Sequence, residues 1–461
     1  MSTASAWSVA LNGIEGAMVE VEVAEGGGLP RTVLVGLPDA ALSQAKERVR
    51  AAVTGAELPW PNGLVTINLS PANLPKTGTH YDLAIATAAL AAIDKVPKEA
   101  ARNHVCLGEL GLDGRLRRVP GILPALLAAV RSGFDKAIVP ASQEAEASLV
   151  PGVTVWAIGH LKDLVAVLNG EPPLGGWEPP ADEDVASRQR PPLDFREVRG
   201  HLEGRWVMEV AAAGRHHVFL HGAPGVGKTM LASRLTSILP PLDGEEAVEV
   251  SALHSLAGMD LSGGLLIDPP YADPHHSSSP ASIIGGGVRL VRPGSISLAH
   301  RGVLFLDEAP EFGTRVLDAL RTPLESGWVS IGRAAIQVRY PARFQLVLAA
   351  NPCPCGFHGV TGRECRCSPM AVRRYQERLS GPIMDRIDIR HHMLPQSRSF
   401  LGNALEQPES SAEIARVFSW LGKGRPDGFE ARRGAPMVRW QGRGFAPTCP
   451  CRMTFPPWRR R

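Results

Sequence analysis

The sequence predicts an α/β protein of two successive domains, the second a phosphate-loop (P-loop) fold, and three observations carry that prediction. The chain has 461 residues, more than a single hydrophobic core usually supports. Strand-like and helical stretches alternate on both sides of residues 171–193, a segment with six prolines, many charges and no periodicity, as expected of a linker. One apolar stretch, His217-Val-Phe-Leu220, runs directly into a glycine-rich loop followed by a helical pattern.

In residues 1–170 the period-two alternation of 17–23 reads as a strand, and 31–35 as its neighbour across a glycine-rich turn. Residues 39–58 have helical spacing, with Ala41, Ala45, Val49 and Val53 on one face. A strand at 64–69 and a buried helix at 83–93 follow, and strands at 136–140 and 153–157 complete the mixed domain. The second domain, 194–395, has strands at 218–220, 302–306 and 344–348, with a helix at 230–239. Residues 396–420 contain the start of a helix near Ser411, and 421–461 mix Gly, Pro, Arg and isolated Trp without a period, as disordered segments do.

Composition excludes some classes. The longest apolar stretch, 83–93, is broken only by Thr87 and is too short for a membrane span, which needs about 20 residues. No basic segment precedes an apolar core near the N-terminus, so no signal peptide is expected and a cytoplasmic location is. The net charge of +3 comes from residues 421–461, with ten basic residues against Asp427 and Glu430. The preceding chain is net acidic, so global basicity is no argument that the folded body binds nucleic acid.

The strongest motif is the loop Gly222, Ala223, Pro224, Gly225, Val226, Gly227, Lys228 and Thr229, which fits G-x-x-x-x-G-K-[ST] between a strand and a helix. Its glycines let backbone N–H groups curl around a phosphate, and the helix N-terminus adds partial positive charge. Lys228 is expected on the β- and γ-phosphates and the Thr229 hydroxyl on Mg²⁺. Gly302-Val-Leu-Phe-Leu-Asp-Glu308 reads as a buried strand projecting Asp307 and Glu308 from its carboxyl end. Asp307 would anchor Mg²⁺, Glu308 would polarise the attacking water, and the pair is expected on the strand adjoining the phosphate loop. Together these residues imply nucleoside triphosphate hydrolysis.

Asn351 ends another strand and can orient the lytic water or simply cap the strand. Arg386, in Ser380-Gly-Pro-Ile-Met-Asp-Arg386, can reach a neighbouring subunit's γ-phosphate or pair with Asp385 or Asp388. Cys353, Cys355, Cys365 and Cys367 form two C-x-C pairs nine residues apart. Four thiolates suit a tetrahedral Zn²⁺, although one residue between paired cysteines is tighter than the usual knuckle, and a loop of free or redox-sensitive thiols is the alternative. The adjacent His275 and His276 are expected to point to opposite sides of an extended segment, which suits packing or DNA contact better than a shared metal.

HGAPGVGKTMLASRL, PHHSSSPASIIGGG, RPGSISLAHRGVLFLDEAPEF, LESGWVSIGR, ANPCPCGFHG and LSGPIMDRIDI occur in the order seen in the magnesium-chelatase-like AAA+ ATPases of the ComM/YifB type, which the chain resembles over about residues 5–415. The resemblance implies an ATP- and Mg²⁺-dependent ring, a hexamer, acting on DNA as a helicase in branch migration during natural transformation. It gives Asn351 the sensor-1 role and Arg386 the arginine-finger role, and sets Gly200 where the family packs its backbone near the adenine. The leading domain, with GLPDAALSQAKERVRAAV and NLSPANLPKTGTHYDLAIA, resembles the proteolytic domain of Lon. That pattern would place the nucleophilic serine near His80 and the lysine near Leu123, which removes the dyad and with it peptidase activity.

Family members continue into a helical lid with a sensor-2 arginine. Here the resemblance is expected to stop after Ser411-Ala-Glu-Ile-Ala-Arg-Val417, leaving the lid largely absent, and the Arg/Pro/Gly/Trp bias beyond suggests a frameshifted or truncated gene, with weakened turnover and ring formation. Two other functions stay open: an ATP-driven remodeller of protein or chelatase-type complexes, and a degenerate nucleotide-binding protein without turnover.

Overall fold

A computed structural model of the chain describes residues 2–36, 42, 44–176, 193–287, 291–333, 336–360, 362–379, 381–395 and 408–422. Most of the proline-rich linker, the start of the helix expected at 39–58 and all but two residues of the basic tail lie outside the described residues, so the expectations placed there are not assessed. Residues 1–420 form one compact unit containing two large sheets.

The first sheet is mixed and seven-stranded. Its centre is a long antiparallel hairpin, Ser2–Asn12 with Glu15–Gly26, in register from Ser2 opposite Glu25 to Asn12 opposite Glu15. Leu64–Ser70 and Arg31–Val35 extend it on one side, and Val105–Cys106, Lys136–Pro140 and Thr154–Ile158 on the other. The opening strand was not legible, because Ser-Thr-Ala-Ser-Ala has weak strand preference and is held by its partner rather than by propensity. The helix Asp82–Ala92 is buried at every residue, as its all-round apolar sequence requires.

The second sheet is parallel, in the order Tyr271–Ala272, Val303–Leu306, Gln345–Ala350, Val218–Gly222, Ile389–Met393. The phosphate-loop strand therefore neighbours Gln345–Ala350 and Ile389–Met393. The acidic strand is one place further away, which corrects the expectation that it adjoins the loop. His221 lies opposite Ala350 and Leu306 opposite Leu348, so Gly222, Asp307 and Asn351 emerge together at the carboxyl edge. The edge strand Ile389-Arg-His-His-Met393 was missed because its sequence is polar.

The two sheets are joined through the helix Gly244–Leu256, which starts on a capping box between Asp243 and Glu246. Glu146 accepts hydrogen bonds from Ser255 Oγ at 2.5 Å and from the Leu123 N–H at 3.1 Å, and Arg118 pairs with Asp260 at 3.1 Å. Ala252 and Leu261 complete the core beneath the first sheet.

The helix Ser411–Gly422 docks by its N-terminus. Ser411 Oγ accepts the Phe195 N–H at 2.7 Å, the Ser411 N–H reaches Asp194 Oδ1 at 3.2 Å, and Ile414 is buried in the core of the parallel sheet.

Candidate nucleotide site

The chain leaves the strand Val218–Gly222 and turns through 223–227 into the helix Lys228–Arg234. The helix expected at 230–239 thus starts two residues earlier and tightens into a 3₁₀ turn, Leu235–Ile238. Gly225 and Gly227 hold φ values of 79° and 88°, left-handed backbone that any side chain would strain. Open space surrounds Gly225, where an added Cβ would meet nothing within 4 Å. The loop is therefore bare backbone on its outer side, which is what close approach of a phosphate demands.

Lys228 is only 7% exposed. Its Nζ donates to the Gly222 and Ala223 carbonyls at 2.8 and 3.0 Å and to Asn351 Oδ1 at 2.9 Å. Burial draws its pKa below the usual lysine range, against the opposing pull of Asp307 and Glu308. Thr229 Oγ1 donates to Asp307 Oδ2 at 2.8 Å. A hydroxyl and a carboxylate side by side are hard oxygen donors, the type Mg²⁺ takes when it keeps most of its water and shares a substrate's phosphates. The residues present thus fit a magnesium–triphosphate.

Glu308 sits at φ 50°, ψ 43°, a left-handed conformation uncommon outside glycine. Its N–H donates to Asp307 Oδ1 at 2.9 Å, and its carboxylate faces His276 Nδ1 at 3.5 Å. The left-handed backbone turns the half-exposed carboxylate away from the core. The expectation for the paired histidines is corrected here. Residues 275–277 turn rather than extend, so the two rings lie side by side with centroids 4.1 Å apart. His276 also meets Phe312 edge-on, while His275 Nδ1 bonds Ser277 Oγ at 2.7 Å.

Lys228, Thr229, Asp307, Glu308 and Asn351 are thus gathered at one sheet edge, and Arg386 is not among them. Arg386 pairs with Glu325, not with Asp385 or Asp388, and also donates to the Pro382 carbonyl. Gly200, at φ 79°, leads into His201, whose Nε2 lies 3.3 Å from where a Cβ on Gly227 would be. This brings residues 200–201 against the phosphate loop, with burial lowering the pKa of His201. His201 carried no signal in the sequence. Neither did His221 and His392, whose rings are 5.3 Å apart and line a cavity of about 360 Å³ beside Asn351.

In the first sheet, His80 Nε2 bonds the Val9 carbonyl at 2.8 Å, and Leu123 is buried with its N–H on Glu146. The four cysteines converge: Sγ–Sγ distances are 3.3 Å for 353–355, 3.7 Å for 353–365 and 3.6 Å for 355–365, and all four sulfurs lie within 4.8 Å of one another. Backbone N–H groups of Phe357 and Arg366, together with the Cys353 thiol, pull the Cys355 pKa down to about 6.

Comparison with known proteins agrees with this geometry. Residues 194–400 match the family described as magnesium chelatase, subunit ChlI, and residues 19–143 match that of subunit ChlI of Mg-chelatase. The competence protein ComM of Haemophilus influenzae is 42% identical over 418 residues, covering 90% of this chain and 81% of ComM. YifB of Escherichia coli is 42% identical over 402 residues, covering 87% and 78%. The chain is a magnesium-chelatase-like AAA+ ATPase related to the ComM/YifB family. An uncharacterised protein of Mycobacterium tuberculosis is 46% identical over 456 residues, covering 97% of this chain and 88% of its own length. That similarity runs past residue 420, further than the sequence motifs carry it. In this AAA+ family, ATP binding and hydrolysis are the shared chemistry.

Proposed function

We propose that the chain is an ATP-hydrolysing ring motor that acts on DNA, with a ComM-like role in helicase or branch-migration steps. The observation that supports it most is the shared sheet edge, where a buried lysine with three acceptors sits beside the Thr229–Asp307 pair and Asn351. Lys228 and the 222–227 amides would hold the phosphates, and Thr229 and Asp307 would hold Mg²⁺, which supplies charge neutralisation when bound. Glu308 takes a proton from the attacking water, Asn351 orients that water, and Gly200 contacts the adenine side. Arg386, partly exposed and paired within its own chain with the exposed Glu325, can exchange that carboxylate for a neighbour's γ-phosphate in a hexameric ring. Residues 1–170 are read as a Lon-like domain, linked through 171–193 to an ATPase core at 194–395. With His80 bonded to a carbonyl and Leu123 inert, this domain scaffolds the ring or binds a partner.

The Haemophilus relative, a competence protein, supports a role in competence, and the likeness of both matched regions to chelatase subunits favours a second reading, an ATP-driven remodeller of a protein complex. ATPase assays with and without branched or single-stranded DNA separate the two. The DNA motor predicts stimulated turnover, whereas turnover indifferent to DNA removes that reading and leaves the remodeller. Absence of turnover in the wild type, matching Lys228→Ala, removes both.

A further inference from the structure

We infer that Cys353, Cys355, Cys365 and Cys367 bind one zinc ion, and that this ion braces the wall of the nucleotide site. Four sulfurs about 2.3 Å from a tetrahedral Zn²⁺ stand about 3.8 Å apart. The separations among Cys353, Cys355 and Cys365, 3.3–3.7 Å, lie near that edge length, the Cys367 sulfur is within 4.8 Å of them, and all four cysteines are free rather than disulfide-bonded. Among the described residues this is the one group of three or more His, Cys, Asp or Glu side chains able to converge on an ion. A backbone N–H is aimed at the cluster, with His358 donating to Cys353 Sγ at 3.3 Å. A backbone donor of this kind orients a sulfur ligand. A one-residue spacer is tight for a zinc knuckle, and this N–H donor offsets that by orienting one sulfur of the first pair.

The position of the cluster gives it a role beyond local folding. Cys353 follows Asn351 by two residues, and Asn351 accepts the Lys228 hydrogen bond. Gln376, on the helix Pro369–Glu377 that leaves the second cysteine pair, donates to the Pro352 carbonyl at 3.2 Å. Gly356, between the two pairs, packs so closely on the phosphate loop that an added Cβ would meet Pro224 Cγ at 2.4 Å. The loop 353–367 is therefore closed on itself at the cysteines and pressed against Pro224 on one side and the Asn351 strand end on the other. A loop this short, with few apolar residues, has little core of its own, and an ion at its centre supplies the missing rigidity. The bracing role rests on the phosphate-loop reading; the metal site does not.

The test uses the purified full-length chain under reducing conditions. Metal analysis is expected to give one zinc per chain, with Cys355→Ser and Cys365→Ser each losing it. The double variant Cys449→Ser/Cys451→Ser, which removes the other C-x-C pair, is expected to keep it. Cobalt exchange is expected to give the visible spectrum of a tetrahedral tetrathiolate site. Removing zinc from the wild type with a chelator is expected to weaken MgATP binding roughly tenfold, reversed by adding zinc back, which covers the case that serine variants do not fold. Lys228→Ala is expected to lose MgATP but retain zinc, so failure of the phosphate loop and failure of the metal site are told apart. A folded, reduced chain that takes up neither zinc nor cobalt overturns the site, and unchanged MgATP affinity after zinc removal overturns the brace.

Discussion

The two sheets treat their buried charges in opposite ways. In the first, Asp82 is fully buried and clamped by Arg48 through Nε at 2.5 Å and Nη2 at 2.8 Å, with the Leu110 N–H at 3.2 Å. Lys76 is buried equally deeply and ends on the Pro71 carbonyl. Both charges are closed off by the protein itself. In the second sheet, Lys228 is also buried, yet its acceptors lie on a loop with open space at Gly225, and its neighbours Thr229 and Asp307 are reachable. Buried charge alone does not mark a site. A buried charge beside bare backbone and hard oxygen donors does.

The sharpest way to break this contrast is at Lys228. Lys228→Ala is expected to abolish ATP turnover, by three orders of magnitude or so given the charge it supplies to the transferring phosphoryl group; steady-state phosphate release measures it. Glu308→Gln is expected to retain MgATP and to lower turnover by roughly 10²–10⁴-fold, the range for loss of a general base. Unchanged turnover in that variant would show that another group activates the water. In the first sheet the corresponding loss is structural. Arg48→Met leaves Asp82 buried and unpaired, at a cost of about 3–5 kcal/mol, read by urea melts.

Much of the second sheet was legible because its chemistry forces a sequence pattern. The spacing of Gly222, Gly227, Lys228 and Thr229 and the apolar run into Asp307 and Glu308 are each required by backbone geometry. What was not legible depended on neighbours far along the chain. Nothing local to Asp307 reveals that Gln345–Ala350 separates its strand from the phosphate loop. Nothing in Arg386 reveals its pairing with Glu325, since surface arginines have several carboxylates within reach. The side-by-side His275 and His276 rings follow from a turn closed by the Ser278 N–H on the His275 carbonyl, which the flanking Asp273-Pro274 and serines favour but do not place. The first strand, with its small residues, is defined only by the partner it pairs with.

A smaller effect is read through pH. Burial lowers the pKa of His217, His254 and His300, and His217 Nδ1 accepts the Leu346 N–H at 3.0 Å, while His300 Nδ1 accepts the Arg343 N–H at 2.9 Å. A ring nitrogen that accepts an N–H carries no proton, so His217 and His300 are held neutral by these bonds. Their folded pKa values lie below the unfolded value near 6.5, so the stability they contribute is present above that pH and declines as pH falls through the folded values. Denaturation of the ATPase region is expected at lower urea at pH 5.5 than at pH 7.5; the reverse order would contradict neutral, buried rings. Smallest of all, His80→Ala is expected to leave ATP turnover of the folded protein unchanged, measured beside the wild type.

The most direct measurement is equilibrium titration of the Glu308→Gln chain with a fluorescent ATP analogue, with and without Mg²⁺. Saturable binding that requires Mg²⁺, is displaced by ATP and disappears when Lys228→Ala is added is the expected result. Signal that fails to saturate, or that is indifferent to both the metal and the lysine, would contradict a nucleotide site at this sheet edge.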